Sequence, residues 1–168
     1  RFAHRPHVAL YNLPSGDFIR QAAACAQPLA ARRYDLVHLG TLSVERVAFL
    51  GEVMRGLFAR RPEARVLLIG VRPEHRAAFD AFPPERVTVL GAVPYADIAG
   101  LLADCRIGID VHPVLYPHLR CAVPVKVFEY MAAGCNVVTS FLPELHRLLS
   151  GEGHGHVTTI TTADAERF

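Results

Sequence analysis

The chain of 168 residues has the length of one domain that is large enough to bury a hydrophobic core. Hydrophobic residues make up 51% of it and charged residues 20%, which excludes an intrinsically disordered chain. A formal net charge of +2 argues against a nucleic-acid-binding surface, and no apolar run approaches the ~20 residues of a membrane span. The first residues are not those of a signal peptide, and residues 163–168 resemble the start of a helix. We therefore expect a piece of a longer chain that is cut inside its last helix.

The cysteine and histidine residues predict neither disulfides nor a metal site. The four cysteines, Cys25, Cys105, Cys121 and Cys135, include no Cys-x-x-Cys pair. We interpret them as buried free thiols of a reducing compartment, which favours a cytoplasmic protein over a disulfide-bonded one. The closest pair among the nine histidines, at 154 and 156, flanks a glycine and is interpreted as a solvated turn rather than a zinc site.

Residues 1–34 show the weakest pattern and are expected to form a linker or N-terminal extension. Residues 7–11 fit a short strand, 12–16 a turn, and the alanine-rich residues 17–33 a helix that Pro28 interrupts. The domain itself is expected to span residues 35–168.

From residue 35 onward, short β-branched runs alternate with segments of helical periodicity. The predicted strands cover residues 35–39, 65–70, 87–91, 106–111, 136–139 and 157–161. The predicted helices cover residues 44–61, 76–82, 95–104, 125–133 and 144–149, with one more after 162 and a long loop at 112–123. This alternation predicts an α/β fold in which a doubly wound, Rossmann-like parallel sheet has helices on both faces.

The loops at the carboxyl ends of the strands are the predicted ligand edge, because sheets of this kind bind ligands there. They cover residues 40–43, 70–73, 91–95 and 112–123. Three of the strands end in glycine, at Gly40, Gly70 and Gly91, which allows a ligand to approach the backbone. The alternative is that these glycines only form tight turns between strand and helix.

Residues 123–134 carry the most informative pattern in the chain. Pro124 suits the first turn of a helix, and the two residues before it have no side-chain oxygen that could cap the helix. Free amides at a helix N-terminus bind anions, and Lys126 adds a full positive charge beside them. Glu129, one turn further on, is placed to accept hydrogen bonds from ribose hydroxyls, so the segment predicts a nucleotide site. The alternative is an ordinary surface pair of Lys126 and Glu129.

The sequence PVKVFEYMAAG at 124–134, with VVTS at 137–140 and LPE at 142–144, resembles the GT-B-fold glycosyltransferases. More narrowly, it is similar to the C-terminal, nucleotide-sugar-binding domain of the group 1, or glycogen-synthase-like, retaining enzymes. Four shorter segments are similar in the same order: LGTLS at 39–43, LLIG at 67–70, VLGAVPY at 89–95 and IGIDVHP at 107–113. The resemblance covers residues 35–168.

This resemblance implies one half of a GT-B enzyme that transfers a sugar, of the hexosyl type, from a nucleotide-diphosphate donor. In that family the residue matching Glu129 contacts the ribose, and the loop matching 92–95 lies near the base. The helix N-terminus and the loop before it receive the diphosphate and the sugar. The implied donor-binding residues are Gly40, Thr41, Leu42, Arg46, Gly70, Val93, Pro94, Tyr95, His112, Arg120, Val123, Pro124, Val125, Lys126 and Glu129. Lys126 and Glu129 are the implied catalytic residues.

The chain departs from the family pattern at the cations and at one carboxylate. Cys121 stands eight positions before Glu129, where the family often has a second glutamate that contacts the sugar. Many members carry an arginine and a lysine after the first strand, whereas Arg46 is the only cation in residues 40–50. Arg120, in the donor loop, is a candidate for the missing cation.

The resemblance also implies the partners of the chain. They are a nucleotide-sugar donor and an N-terminal domain of the same chain that supplies the acceptor site, so we expect the isolated domain to be inactive. Fixed amides and cations commonly replace a metal in this fold, and no metal is expected. We expect no nucleic-acid partner, membrane contact only through the other domain, and a role in bacterial polysaccharide or glycoconjugate synthesis.

Two other functions fit parts of the pattern. A nucleotide-sugar epimerase of the same fold would also consist of two domains, and its products would reveal it. A receiver-type regulatory domain would use Asp110, at a strand end, as a phosphate acceptor together with Lys126. It also needs an acidic pair after the first strand, where residues 39–42 are neutral.

Overall fold

A computed structural model describes residues 10–112, 116–150 and 157–160 of the chain. The histidines at 154 and 156 and the helix predicted after 162 lie outside these residues. So does most of the strand predicted at 7–11, and its described residues, Leu10 and Tyr11, are not in a strand.

Within the described residues, six parallel strands form one sheet. The strands are β1 (Tyr34–Leu39), β2 (Val66–Ile69), β3 (Val87–Leu90), β4 (Cys105–Asp110), β5 (Asn136–Ser140) and β6 (Val157–Ile160). Their order across the sheet is β3-β2-β1-β4-β5-β6, so the winding reverses between β1 and β4. The predicted doubly wound, Rossmann-like sheet is confirmed, and the crevice between β1 and β4 is the place where such sheets bind ligands.

Helices connect the strands and cover both faces of the sheet. They are α1 (Gly16–Ala24), α2 (Val44–Arg60), α3 (Pro73–Arg76), α4 (Tyr95–Ala103), α5 (Val125–Ala132) and α6 (Pro143–Leu149). Side chains alternate along the strands, so that Leu67 of β2 joins the core beneath α1, α4 and α5, whereas Leu68 joins the core beneath α2. A hydrophobic core on each face therefore holds the sheet between layers of helices.

The helix predicted at 76–82 is wrong in its bounds. Helix α3 begins three residues earlier, at Pro73, because a proline ring fits the first helical turn. A 3₁₀ turn at Ala77–Phe79 follows it, and Phe79 is 3% exposed in the core beneath α2. The chain therefore turns down onto the sheet before another α-helical turn can form.

Two more segments differ from the sequence prediction. The helix predicted at 17–33 is interrupted as expected, but α1 already ends at Ala24, and a 3₁₀ turn at Leu29–Ala31 follows Pro28. Proline has no N–H to continue an α-helix, and it also disfavours helical geometry in the residue before it. The predicted loop at 112–123 contains a 3₁₀ helix at Pro117–Cys121.

Helix α1 is part of the hydrophobic core. The Ser15 hydroxyl accepts a hydrogen bond from the Phe18 N–H and caps the helix. Phe18 and Ala22 are buried on the side that contacts α4 and α5, and the Phe18 ring centre lies 5.4 Å from that of Tyr95. The segment before residue 34 thus packs into the fold, while the domain boundary at that residue stays a prediction.

Tyr130, on α5, fills the crevice where β1 and β4 separate. The two strands pair as far as Val37 and Gly108, and beyond that point the Tyr130 hydroxyl accepts a hydrogen bond from the Leu39 N–H at 2.8 Å. The same hydroxyl donates to the Ile109 carbonyl at 3.3 Å. Glycine is required at Gly108, because a Cβ there would lie 2.3 Å from the tyrosine ring. Helix α5 is therefore fixed directly over this crevice.

The structure tests the expectation that the four cysteines are buried free thiols. All four cysteines are free, but only Cys105 and Cys135 are buried, so the expectation of buried thiols is wrong for Cys25 and Cys121. Burial raises the pKa of the Cys135 thiol to about 11, which keeps it protonated at neutral pH.

Among the described residues, no helix combines the length and the apolar character needed to cross a membrane.

Candidate functional site

A cavity of about 670 Å³ lies at the carboxyl edge of β1, β2 and β3. Its walls come from the loops that follow these strands and from parts of α3 and α4. The predicted donor-binding residues Gly40, Thr41, Gly70 and Val93 line it, together with Arg72 and Arg76. This volume falls within the ordinary range for small-molecule sites.

Gly40 and Gly70 bring the first two loops into backbone contact. Their φ angles of 108° and 87° are ones that residues with a side chain rarely adopt. A Cβ on Gly70 would lie 3.0 Å from the backbone of Gly40, and a Cβ on Gly40 would lie 3.2 Å from the Nζ of Lys126. The close approach that these glycines allow is therefore made by protein groups, which hold the first loop against the second loop and against α5.

The N-terminus of α5 lies beside the first loop. Pro124 precedes the helix, and no capping side chain among the described residues accepts a hydrogen bond from its first amides. Val123, Pro124 and Val125 are half-buried, so this end of the helix is partly open to solvent. Uncapped amides at the positive end of a helix dipole favour a bound anion, as the sequence predicts for this segment.

Asp110, at the end of β4, gathers three side chains around one oxygen. Its carboxylate is fully buried, and Oδ1 lies 2.6 Å from Arg46 Nη2, 3.4 Å from Lys126 Nζ and 3.6 Å from His112 Nε2. Burial raises the pKa of this carboxyl, but the proximity of His112 and the charges of Lys126 and Arg46 outweigh it and hold the pKa well below its usual range. Within the described part of the chain, Asp110 Oδ2 and His112 Nε2 are buried without a hydrogen-bond partner.

Lys126 is tied to this carboxylate and not to Glu129. The Lys126 side chain is 18% exposed, and burial lowers its pKa while the Asp110 carboxylate acts in the opposite direction. Glu129 is 4% exposed. The alternative of an ordinary surface pair between Lys126 and Glu129 is therefore wrong.

His38, on β1, is a buried neutral neighbour of the two cations. It is 1% exposed, and its Nε2 lies 3.1 Å from the Gly40 carbonyl, to which the neutral ring can donate. Burial, with the charges of Lys126 and Arg46, lowers the pKa of His38 to about 3. His38 thus anchors the first loop without adding charge to the site at neutral pH.

Glu129 lies one turn into α5 and faces Tyr95, at the start of α4. Burial raises the pKa of the Glu129 carboxyl, while a hydrogen bond from Tyr95 and the charge of Lys126 lower it. Tyr95 itself is 48% exposed, whereas the Glu129 side chain that it contacts is buried. The structure thus brings Lys126, Glu129 and Tyr95 into one neighbourhood.

Three predicted residues lie apart from this neighbourhood or face elsewhere. Arg120 is exposed and lines a second cavity, of about 490 Å³, with Tyr116 and Phe141. Leu42 is 4% exposed in the core beneath α2, so its side chain packs against the protein. Pro94 is exposed and precedes α4. The role of Arg120 as the missing cation stays a prediction.

A comparison with protein families agrees with this geometry. A family model described as Glycosyl transferases group 1 matches residues 33–168. The chain belongs to the group 1 glycosyltransferase family. The match begins just before β1 and includes every described strand. A search of the curated proteins found no significant match.

Sequence reasoning missed the central residue of this candidate site. It assigned Asp110 only to the receiver alternative, which is wrong because the carboxylate is buried and paired with two cations. The roles of His38 and Tyr130 in holding the first loop and the strand ends were also missed. A charged residue that ends a buried strand at the ligand edge is the one signal that could have revealed Asp110.

Proposed function

We propose that this domain of a group 1 glycosyltransferase binds a nucleotide-diphosphate sugar at the crevice between β1 and β4 and supports transfer of the sugar to an acceptor. The observation that supports this most is the convergence of Lys126, Arg46 and the uncapped N-terminus of α5 at one point of the sheet. Cationic side chains and free amides at a helix N-terminus are the groups that bind the oxygens of a diphosphate.

The other predicted residues fit one orientation of the donor. The diphosphate lies at the N-terminus of α5, against the loop that begins at Gly40. The ribose lies toward Glu129, whose carboxylate accepts hydrogen bonds from the hydroxyls. The base occupies the 670 Å³ cavity, whose walls include Gly70 and Val93.

The same groups serve the transfer step. Negative charge grows on the nucleotide diphosphate as it leaves the sugar, and fixed cations and amides aimed at it lower the barrier. Lys126 and the α5 amides supply this stabilisation, with Arg46 as the second cation. We propose that these protein groups do so without a metal.

The acceptor is bound by a further domain, so the domain described here does not transfer sugar by itself. We propose a hexosyl donor and a role in bacterial polysaccharide or glycoconjugate synthesis. An epimerase of the same fold remains the second candidate, and release of a nucleoside diphosphate, in place of an epimerised nucleotide sugar, separates the two.

Titration of the chain with UDP, GDP and ADP, followed by backbone amide shifts, tests the site. We expect one of them to shift residues 40–43, 92–95 and 123–129, and the matching nucleoside without phosphates to leave the helix N-terminus at 123–126 unshifted. Lys126→Met is the matched variant and should weaken binding on the order of tenfold, the scale of one charge-assisted hydrogen bond. Shifts confined to other residues, or none, would contradict the proposed function.

A further inference from the structure

The two cations of the proposed donor site reach the crevice from opposite faces of the sheet. Arg46 lies on the first turn of α2, and Lys126 lies on the first turn of α5. Both end within 3.4 Å of one atom, Asp110 Oδ1, at the carboxyl end of the strand between them. The carboxylate is thus the point where the two helix N-termini are joined.

Two positive side chains this close repel each other unless an anion lies between them. Both are largely buried, with 13% of the Arg46 side chain and 18% of the Lys126 side chain exposed, so water screens them little. Asp110 is 0% exposed and cannot itself meet a ligand in this arrangement. Its charge lowers the net charge of the trio to +1, which still attracts an anion.

We propose that Asp110 is a positioning residue that holds Arg46 and Lys126 side by side before the donor binds, so that the diphosphate meets a preassembled pair of cations. This inference rests on the proposed function, because it names how the diphosphate site is built. Among the described residues Oδ2 has no hydrogen-bond partner, and this supports the inference, since a buried carboxylate kept only for stability would be expected to have both oxygens paired.

Other roles for Asp110 predict different kinetics. A carboxylate that only competes with the diphosphate would, once neutralised, give tighter binding at an unchanged kcat. A carboxylate that only stabilises the fold would, once neutralised, give a less stable protein whose folded fraction keeps the wild-type kcat. A positioning carboxylate affects the transition state more than the ground state, because geometry matters most when charge develops.

The experiment is Asp110→Asn in the full-length protein, with the nucleoside diphosphate that binds best among UDP, GDP and ADP. Asparagine keeps the shape of the side chain and removes its charge. We expect kcat for release of that diphosphate from its hexose conjugate to fall on the order of 10²-fold, the scale of a small misplacement of catalytic groups. Binding of the free diphosphate should weaken by no more than about threefold. Removing the Asp110 charge makes the site more positive, and this offsets the loss of order between Arg46 and Lys126.

Asp35→Asn is the matched control. Asp35 pairs with Arg106 at 2.7 Å on the same sheet, but at the opposite ends of β1 and β4. Its loss should lower stability to urea and leave kcat within about twofold, on the rule that distant sites act independently.

A double variant Arg46→Met/Asp110→Asn adds a second readout, since the effect of Asp110→Asn on kcat should be at least tenfold smaller when Arg46 is absent.

Three results would overturn the inference: an unchanged kcat in Asp110→Asn, an equal loss in Asp35→Asn, or additive losses in the double variant. If Asp110→Asn does not fold, Arg46→Lys takes its place, because lysine keeps the charge but not the reach and shape of the guanidinium. The Arg46→Lys protein should then bind the diphosphate with the wild-type Kd and have a lower kcat. A wild-type kcat would overturn the inference. Failure of the wild-type protein to bind any of the three diphosphates would instead overturn the proposed function.

Discussion

The two edges of the sheet use ionic groups in opposite ways. At the amino ends of the strands, the Arg106 guanidinium bonds Asp35 at 2.7 Å and the Leu29 and Ala30 carbonyls at 3.0 and 3.3 Å. Nearby, the Arg32 guanidinium donates to the Cys105 carbonyl at 2.7 Å. These cations are therefore matched to acceptors of the protein itself.

At the carboxyl ends, positive charge exceeds negative charge. Arg46 and Lys126 share one oxygen of Asp110, and its other oxygen lies buried without a partner among the described residues. The two edges therefore differ in how their cations are satisfied: the amino edge gives each arginine its own carboxylate or carbonyl acceptors, whereas at the carboxyl edge two cations share one carboxylate oxygen.

The largest difference between the two edges should appear when one cation is removed from each and the catalytic activity and stability of the two variants are compared. Lys126→Met in the full-length protein should lower kcat/KM on the order of 10²–10³-fold, the scale of removing one group that stabilises a developing anion. Arg106→Met should lower the free energy of unfolding by about 1–3 kcal/mol, because Asp35 loses its partner, and leave kcat/KM unchanged. Steady-state kinetics and urea denaturation check the two variants together.

An equal loss of activity in both variants would contradict the division between edges. It would mean that the sheet transmits any charge removal to the site.

The next effect concerns the packing that separates the strand ends. Gly108→Ala should lower the free energy of unfolding by about 2–3 kcal/mol, because its Cβ would have to lie 2.3 Å from the Tyr130 ring. Gly100→Ala is the matched control, since a Cβ there meets nothing within 4 Å. Urea denaturation of both variants makes the measurement, and a Gly108→Ala protein as stable as Gly100→Ala would show that Tyr130 does not fill the crevice as described.

The smallest effect is a pH dependence that belongs to the carboxyl edge. The pKa of His38 is about 3 in the fold, against about 6.5 in an unfolded chain. Between these values the unfolded chain binds more protons, so His38 lowers the free energy of unfolding by about 1.4 kcal/mol for each pH unit below 6.5. Stability should therefore be full above pH 6.5 and fall as the pH drops.

The variant His38→Gln isolates this contribution. Glutamine can still donate to the Gly40 carbonyl but does not titrate. The unfolding free energies of wild type and His38→Gln, measured in urea between pH 7.5 and 4.5, should converge or cross as the pH falls. The low pKa of Asp110 acts below that range, and the raised pKa of Glu129 is common to both proteins. Parallel curves would show that folding does not lower the pKa of His38.

The sequence predicts elements well where one segment determines its own structure. The periodicity and glycines of the chain predict the parallel sheet, and the motif at 124–134 predicts an uncapped helix with Lys126 on its first turn. Short segments are predicted less well. The turn at Ala77–Phe79 depends on the burial of Phe79 against α2, which no local pattern contains.

Contacts across the sheet could not be predicted, because they depend on the strand order. Arg46 and Asp110 are 64 positions apart and meet only because β1 lies next to β4. Arg120 was predicted from its position in the donor loop, but the 3₁₀ helix at Pro117–Cys121 places it in a different cavity. The sequence therefore indicated which charged residues belong to the site more readily than it indicated which residues they contact.

The contact between Gly40 and Gly70 has a mechanical consequence. The main chain of one loop rests on the main chain of the next, and the Lys126 ammonium rests on the first loop, with no side chain of either glycine between them. The backbone contact between the two loops has little compliance, because it contains no side-chain rotamers that could absorb a displacement. A displacement of the second loop would therefore also move the first loop, beside which the Lys126 ammonium lies.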